Sequence, residues 1–352
     1  MKIVYIDINT LGHHIPYISA LVNGCDNEAV AILPQRVEEL NCRQYKYETS
    51  DRKNGKRSFL QFKKWINEIY EYVEKENPDV VHFLNADFFY RYFGYGLNKF
   101  KKYKTVTTMH CLRDGFLNKM SAKMISSSVD SVVLHSEFLK DKLSCYGKTN
   151  GVHIEYPNFK KSPYSKTDDK EYYGLDVAVP VLGCIGETRN DKGLDIMLEA
   201  LRNVKYPFQL LVAGKPVHFD EEYIKEKTAA FSNKVRTKLE FLSDEDFLRA
   251  INATDIIVVP YRKVFDAASG PLGEGVALGR CIVGPDHGNL CNTITKNHLG
   301  YTFESENPLS LAETLNEVLQ KEFVTDEVYE NYRKTLDVSC FLNSYNNLYN
   351  SL

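Results

Sequence analysis

The fold is decided most clearly by residues 255–284, which read DIIVVPYRKVFDAASGPLGEGVALGRCIVG. The short apolar run at residues 256–259 predicts a strand that is covered on both faces of a parallel sheet, and Pro260 ends it. A serine and two glycines then predict the start of a helix at about residues 272–278, and residues 280–283 begin a second strand. A glycine-bearing turn that leads into a helix can hold a phosphate, because backbone N–H groups and the helix dipole converge there.

Two acids flank this turn. We expect Glu274 to lie in the first turn of the helix, where its carboxylate can accept two hydrogen bonds from a ribose diol. Asp266 precedes it with seven residues between them. This spacing resembles the Glu-seven-Glu signature of the retaining glycosyltransferases of family 4, which have the GT-B fold, with Asp266 standing where that family usually has Glu. An ordinary strand–loop–helix unit without a ligand would also account for the same residues.

Alternating strand and helix patterns continue along the whole chain and predict an α/β fold with parallel sheets. The strands are predicted at residues 2–8, 29–33, 79–83, 105–109, 131–135 and 152–155, and then at 181–185, 209–213, 239–242, 256–259, 281–283 and 301–303. Residues 162–176 are polar and lack apolar periodicity, so they are expected to form a linker. The sequence therefore predicts two Rossmann-like, doubly wound domains, at residues 1–165 and 175–337.

The end of the chain predicts one more helix, because Leu342, Tyr345, Leu348 and Tyr349 share a face. The family resemblance implies that residues 338–352 cross back and pack on the first domain. It also implies that the two domains face each other across a cleft, with the acceptor entering from the first domain and the nucleotide sugar held by the second.

Composition narrows the class of protein. The chain has 352 residues and a net charge of -3, and its eight cysteines form no CxxC or CxxH cluster, so reduced thiols in a cytoplasmic protein are expected and a zinc site is not. We expect no nucleic-acid partner at this charge. Lysine and arginine bunch with aromatic residues at 52–65 and 99–104. Such a pattern fits either peripheral docking on the anionic inner face of a membrane or, more commonly, a solvated helix face with a buried stripe.

A second segment, residues 186–193 (GETRNDKG), resembles the strand-end loop that grips the donor diphosphate in the same family. Two cations, Arg189 and Lys192, lie next to a predicted helix start, and such a group suits a pyrophosphate leaving group. The family's usual arginine position holds Glu187. The donor contacts expected in the second domain are the two cations with Gly186, Gly214, Glu274 and the backbone amides of Ser269 and Gly270.

Three residues of the first domain are candidates for the acceptor side. His110 follows the strand at 105–109, at a position that in the family often lies near the transferred sugar. Gly12 and His13 belong to the first strand–helix turn, where the family carries a glycine-rich loop. His82 and His135 are expected to be structural.

The resemblance implies a retaining, metal-independent transferase with no cofactor. It would move a sugar from a nucleotide-diphosphate sugar to a glycan, a lipid-linked acceptor or another hydroxyl, in cell-surface polysaccharide or glycoconjugate synthesis. Asp266 and His110 would be its catalytic residues. Residues 244–246 (DED) are expected to cap a helix and not to bind a metal. Two alternatives stay open: a sugar-nucleotide 2-epimerase of the same fold, and a non-catalytic binding subunit. The absence of a G-x-G-x-x-G motif disfavours a dinucleotide oxidoreductase.

Overall fold

The computed structural model describes residues 1–10, 12, 14–48, 58–159, 162–265 and 267–352. The chain divides into two compact units. The first unit comprises Met1–Phe159 and Val338–Leu352, and the second comprises Lys160–Asp337. The first boundary thus falls a few residues before the predicted position at 165.

The first unit is built on a parallel sheet that has seven strands in the described part of the chain, in the order β3-β2-β1-β4-β5-β6-β7. Its strands are β1 (Lys2–Ile6), β2 (Glu28–Leu33), β3 (Arg43–Lys46), β4 (Val80–Phe83), β5 (Lys104–Met109), β6 (Ser131–Leu134) and β7 (Gly151–His153). Its helices up to this point are α1 (His14–Gly24), α2 (Phe59–Glu76), α3 (Phe116–Ser126) and α4 (Glu137–Cys145), with 3-10 turns at Asp87–Tyr92 and Leu97–Phe100.

Helix α2 shows how local sequence sets this packing. Ser58 and Gln61 form a capping box at its start, which satisfies backbone N–H groups that the helix cannot pair itself. Its buried stripe includes Phe62 and Trp65, and Phe100 of the adjacent 3-10 turn is fully buried in the same core. The aromatic residues among the basic runs therefore belong largely to the core. This agrees with the second interpretation given above, a solvated helix face with a buried stripe.

The second unit carries a parallel sheet that has six strands within the described residues, in the order β10-β9-β8-β11-β12-β13. Its strands are β8 (Val181–Ile185), β9 (Gln209–Ala213), β10 (Val235–Lys238), β11 (Ile256–Val258), β12 (Cys281–Pro285) and β13 (Gly300–Phe303). Its helices are α5 (Lys166–Tyr172), α6 (Leu194–Ala200), α7 (Glu221–Lys227), α8 (Asp244–Ala253), α9 (Gly270–Ala277), α10 (Gly288–Lys296), α11 (Pro308–Gln320) and α12 (Glu327–Thr335), with 3-10 turns at Asn190–Lys192, Leu201–Asn203 and Ala229–Lys234.

Two predictions for this unit were wrong. The strand predicted at 239–242 lies earlier, as β10, because Val235 to Lys238 pair with β9 and Ser243 already caps α8. The polar segment predicted as a linker contains α5, which starts at a capping box formed by Ser165 and Asp168. Periodicity missed α5 because its buried side is polar: Asp169 is fully buried and receives hydrogen bonds from two residues of α8, Arg249 and Asn252.

The last helix, α13 (Val338–Ser351), is part of the first unit. Its residues Phe341, Tyr345, Leu348 and Tyr349 are buried in a core that α1 and the sheet share. A Cβ added to Gly24 of α1 would lie only 2.5 Å from Leu342 Cδ1, so the two helices approach closely.

Hydrogen bonds also fasten α13 to the sheet. His82 Nδ1 lies 2.7 Å from the Tyr349 hydroxyl and its Nε2 lies 3.0 Å from Thr108 Oγ1. His135 Nε2 lies 3.2 Å from the Tyr17 hydroxyl, which in turn contacts that of Tyr345. Burial lowers the pKa of both histidines to about 3, so they are neutral members of a buried polar network. The structural role expected for His82 and His135 agrees with these contacts.

None of the helices in the described ranges combines the length and the apolar composition that a membrane crossing requires.

Candidate functional site

The loops that follow three neighbouring strands of the second unit, β8, β9 and β11, meet at the carboxyl edge of its sheet. Gly186 follows β8 and Gly214 follows β9, with φ angles of 113° and 144°. A Cβ on Gly214 would lie 2.0 Å from the carbonyl oxygen of Gly186, and one on Gly193 would lie 2.0 Å from that of Pro260. The loops are therefore in backbone contact, at the edge where parallel α/β sheets bind their ligands.

We expect Gly214→Ala to destabilise the second unit by at least about 2 kcal/mol, because alanine would combine a backbone collision with a disfavoured φ angle. Gly147→Ala is the matched control, since Gly147 also has a positive φ of 78° but no atom of the described part of the chain lies within 4 Å of an added Cβ. Thermal melting of both variants measures the difference. Equal melting temperatures would contradict the close contact between the two loops.

Lys192 places its ammonium group at this edge. It ends the 3-10 turn after β8, and its Nζ lies 2.8 Å from where a Cβ of Gly186 would be. The same Nζ lies 5.5 Å from the ring centroid of Tyr261, within the range of a cation–π contact. The cation is therefore directed toward the strand ends.

Tyr261 connects this cation with the start of α9. Its hydroxyl lies 3.4 Å from Ser269 Oγ, and the Ser269 side chain caps the helix by accepting from the backbone N–H of Leu272. Gly270 is the first helical residue, and the nearest atom to a Cβ added there is 3.9 Å away. Lys192 and Ser269 thus both contact Tyr261, which places a cation and the N-cap of α9 on the same ring, and a cation with a helix N-terminus suits an anion.

Glu274 lies in the second turn of α9 and not in the first turn, because the helix begins at Gly270. Its Oε2 is buried and has no hydrogen-bond partner within the described residues. Burial and, to a smaller extent, the charge of Asp244 raise the pKa of Glu274 to about 8. A buried acceptor of this kind is costly unless a donor reaches it, so the site is suited to a ligand hydroxyl.

Arg189 is engaged by two acids of its own loop. Its Nε and Nη2 lie 2.9 Å from the two carboxylate oxygens of Asp191, and Glu187 lies 3.3 Å from Nη1. To bind a phosphate as predicted, the Arg189 guanidinium would have to bind it together with Asp191 or give up its bidentate pair with that acid.

Arg262, which was not predicted as a site residue, joins the loops after β8 and β11. Its Nη2 lies 2.6 Å from Asp195 Oδ2, and its Nε donates to the carbonyl of Asn190 at 2.9 Å. These bonds fix the turn that carries Lys192. The only signal in the sequence was a cation two residues after the strand-ending Pro260.

A small pocket opens among these residues. Six of those that line it are Gly186, Glu187, Thr188, Lys192, Pro260 and Tyr261. Thr188 holds one wall in place, since its hydroxyl donates to the Phe219 carbonyl at 2.6 Å and accepts from the N–H of Val217. The pocket offers an ammonium group, an aromatic ring and backbone polar groups to a ligand.

The predicted acceptor-side residues lie in the first unit. Gly12 has a positive φ of 58°, and no atom of the described residues outside its own turn lies within 4 Å of an added Cβ. His110 follows β5; its Nε2 donates to the Leu84 carbonyl at 3.1 Å and its backbone N–H donates to Asp87. His13 and Asp266, two of the predicted site residues, lie outside the residues that the structure describes.

A buried pair that the sequence did not indicate lies nearby in the first unit. His14 Nδ1 is 2.9 Å from Asp7 Oδ2 at the end of β1, and both side chains are buried. It fixes the start of α1, immediately after the turn that contains Gly12.

The acidic run at 244–246 caps α8, as the sequence predicted. Ser243 accepts from the backbone N–H of Asp246, and the Asp246 carboxylate pairs with Lys238 at 2.5 Å. Acids in the first turn also match the helix dipole.

Comparison with known proteins gives this geometry a context. Residues 179–321 match the model of the family described as glycosyl transferases group 1. The chain is 27% identical over 205 residues to a lipopolysaccharide core biosynthesis mannosyltransferase of Rhizobium meliloti, and 22% identical over 220 residues to an uncharacterized glycosyltransferase of Methanocaldococcus jannaschii. These alignments cover 52% and 62% of this chain but only 57% and 58% of the two relatives.

The fold is also similar to that of solved structures. The Anabaena protein HepE in complex with UDP superimposes with a TM-score of 0.78 at 16% identity, covering 100% of both chains, and the same protein has also been solved with UDP-glucose. The sucrose-phosphate synthase of Thermosynechococcus elongatus gives a TM-score of 0.76 at 15% identity, covering 99% of this chain and 98% of that one. The chain therefore has the GT-B fold of two Rossmann-like units, and its residues 179–321 match the model of the glycosyl transferases group 1 family.

Proposed function

We propose that the protein is a retaining, metal-independent glycosyltransferase that uses a nucleotide-diphosphate sugar. The observation that carries this proposal is the position of Tyr261, which joins the Lys192 ammonium to the N-terminus of α9 at the strand ends of the group 1 domain. A cation and a helix N-terminus on one side of a pocket suit a diphosphate group.

Each part of the donor has a proposed partner. Lys192 and the backbone N–H groups of Ser269 and Gly270 would hold the diphosphate, and Gly186 and Gly214 would let the ligand approach the backbone. The unpartnered, buried Oε2 of Glu274 would accept a hydrogen bond from the ribose. Arg189 would add to the phosphate contact from within its pair with Asp191.

The chemistry that follows is stabilisation of a leaving group. When the bond between the sugar and the diphosphate breaks, negative charge develops on the phosphate oxygen, and fixed donors lower the energy of that state. The acceptor hydroxyl would attack on the face that the diphosphate leaves and pass its proton to the departing phosphate oxygen, so the sugar keeps its anomeric configuration. Asp266 and His110 are the proposed catalytic residues, and Gly12 and His13 are the proposed acceptor-side residues; these four roles rest on the family resemblance.

Substrates are proposed from the named relatives. The mannosyltransferase relative acts in lipopolysaccharide core synthesis, and the Anabaena protein binds UDP and UDP-glucose in its crystals. We therefore propose a UDP-sugar as the first donor to test and a glycan or lipid-linked sugar as the acceptor, in polysaccharide or glycoconjugate synthesis.

A panel of nucleotide sugars tests the proposed activity. The protein is incubated with each donor, with and without a mixture of glycan acceptors, and the released nucleotide and the anomeric proton of the product are followed by NMR. Nucleotide release that needs an acceptor, with retained anomeric configuration, is the expected result. An epimerised sugar would support the 2-epimerase, binding without turnover would support a non-catalytic subunit, and an inverted product would overturn the retaining mechanism.

Activity is expected to survive the removal of divalent cations, because the ammonium of Lys192 and the start of α9 are proposed to neutralise the leaving group. The initial rate is measured after dialysis against EDTA and again after Mg²⁺ or Mn²⁺ is added back. A rate that falls to background on chelation and recovers with the metal would contradict this prediction, and it would redirect attention to Asp244 and Asp246.

A further inference from the structure

Helix α3 of the first unit exposes large apolar side chains. Its inward side is made of Ser121, Ala122, Ile125 and Ser126, which are buried. Its outward side carries Phe116, Leu117, Met120 and Met124, and the first two are 80% and 62% exposed. On a 3.6-residue helix these four outward residues form one continuous arc, so they are a single apolar face and not scattered residues.

The apolar face continues onto the start of α2. Phe59 and Leu60 are 50% and 76% exposed there, and the Phe59 ring lies 5.0 Å from that of the exposed Tyr95. The residue before Tyr95, Gly94, packs against α3, since a Cβ added to it would lie 3.2 Å from the Cα of Ile125. The turn at 92–95 therefore joins both helices, and the α3 surface comprises Phe59, Leu60, Tyr95, Phe116, Leu117, Met120 and Met124.

Basic residues border this surface. Lys63 and Lys64 of α2, Arg91 before the turn, and Lys119 and Lys123 of α3 are all exposed. In the three segments 58–66, 91–95 and 113–126 the only carboxylate is Asp114, and Lys142 pairs with it at 3.3 Å. The surface thus combines exposed apolar side chains with a local excess of positive charge.

We propose that the α3 surface docks on an anionic lipid bilayer, with the apolar side chains entering the headgroup boundary and the lysines contacting lipid phosphates. Protein interfaces are depleted of lysine relative to the rest of the surface, whereas interfacial membrane helices place lysine beside large apolar residues. The charge around α3 therefore favours a bilayer over a second protein. The inference does not rest on the proposed function, because it concerns only the first unit and needs no donor or acceptor.

Residues that suggested membrane contact in the sequence are mostly not those that form this surface. Phe62, Trp65 and Phe100 are buried in the core of the first unit. The exposed apolar residues of α3 follow both basic runs in the sequence, in a segment that was not predicted to contact a membrane.

Vesicle sedimentation with the full chain tests the proposal. The protein is mixed with vesicles of phosphatidylcholine alone or of phosphatidylcholine with phosphatidylglycerol, and the bound fraction is measured at low and high salt. We expect binding to the anionic vesicles that weakens with salt. The double variant Phe116→Ser, Leu117→Ser and the double variant Lys119→Glu, Lys123→Glu should each lower the affinity at least about tenfold.

Matched substitutions elsewhere serve as controls. Val324→Ser replaces a side chain that is 76% exposed in the second unit, and Lys225→Glu reverses an exposed charge on α7. Neither control should change vesicle binding, and the melting temperatures of all variants should stay near that of the unmodified protein, since the changed residues are exposed. The proposal is overturned if the unmodified protein ignores anionic vesicles, if the α3 variants bind like the controls, or if they instead abolish a dimer seen by light scattering.

Discussion

Glu274→Gln is expected to stabilise the unliganded second unit at alkaline pH and to weaken its binding of UDP. Burial raises the pKa of Glu274 to about 8, whereas the unfolded chain loses that proton near pH 4.5. The folded state therefore holds a proton that the unfolded state releases, and the stability falls as the pH rises from about 4.5 to about 8. Above pH 8 the folded protein carries a poorly solvated charge, which glutamine removes.

The expected gain is on the order of 2–4 kcal/mol at pH 9, which is less than the full pKa difference implies because the side chain is only partly buried. It should vanish near pH 4, where both states are protonated. Thermal melting of Glu274→Gln at pH 4, 7 and 9 measures it, with Glu313→Gln on the exposed face of α11 as the control. A difference between the two variants that does not grow with pH would contradict a buried, neutral carboxyl group.

The same residue is expected to bind the ribose. Glu274→Ala should weaken UDP binding by roughly 1–3 kcal/mol, because the ribose hydroxyl loses its buried acceptor and is left unpaired. If Glu274→Gln gains stability while Glu274→Ala loses UDP affinity, the buried carboxyl group is kept for a ligand and not for the fold. A folded variant with unchanged UDP affinity would remove Glu274 from the site.

Tyr345→Ala is expected to destabilise the first unit by about 3–5 kcal/mol, because it removes a fully buried ring from the core that α13 shares with α1. It also leaves polar partners unpaired, since the Tyr345 hydroxyl contacts those of Tyr17 and Thr108. The exposed Asn347 of the same helix provides the control, Asn347→Ala. Calorimetric melting of the full chain measures the loss, and equal curves for the two variants would show that α13 contributes little.

Deletion of residues 338–352 extends this prediction. The first unit should no longer melt cooperatively, because four large side chains leave its core. The second unit does not include this segment, so the truncated protein should still bind UDP. Full activity and unchanged melting in the truncated protein would mean that the helix is dispensable.

Sequence patterns predicted most strands of both sheets, including the edge strands β7 and β13, and failed at the other two edges. The strands β4, β8, β9 and β12 are apolar runs, as expected of strands covered on both faces. The edge strands β3 (RQYK) and β10 (VRTK) are polar, so β3 was missed and β10 was displaced. Partner strands and not local composition define these two elements.

The candidate site shows a similar division. Gly186, Gly214 and Lys192 could be predicted from the sequence. A glycine after a strand indicates a turn with a positive φ angle, and a lysine close to it in the sequence indicates a local positive charge. The pairing of Arg189 with Asp191 could not be chosen from sequence, since Lys192 is just as near to that acid. The contacts of Tyr261 with Lys192 and Ser269 depend on how separate loops pack together. The spacing of residues within one loop does not predict such contacts.

The outward face of α3 was also missed. Its sequence, FLNKMSAKMIS, has apolar residues around most of the helix, so periodicity does not show which side is buried. Ile125 and three small residues pack inward there, whereas four large side chains remain exposed, which only the position of the helix reveals.

Isothermal titration of UDP into the unmodified protein and into Lys192→Ala tests the central claim, that the strand ends of the second unit hold a nucleotide diphosphate. We expect saturable binding in the absence of metal, and a loss of about 10- to 100-fold in affinity when the ammonium beside Gly186 and Tyr261 is removed. The exposed Lys225 on α7 supplies the control, Lys225→Ala, which should bind UDP as the unmodified protein does. If UDP, GDP and ADP all fail to bind, or if Lys192→Ala binds as tightly as Lys225→Ala, the pocket at these strand ends is not the donor site.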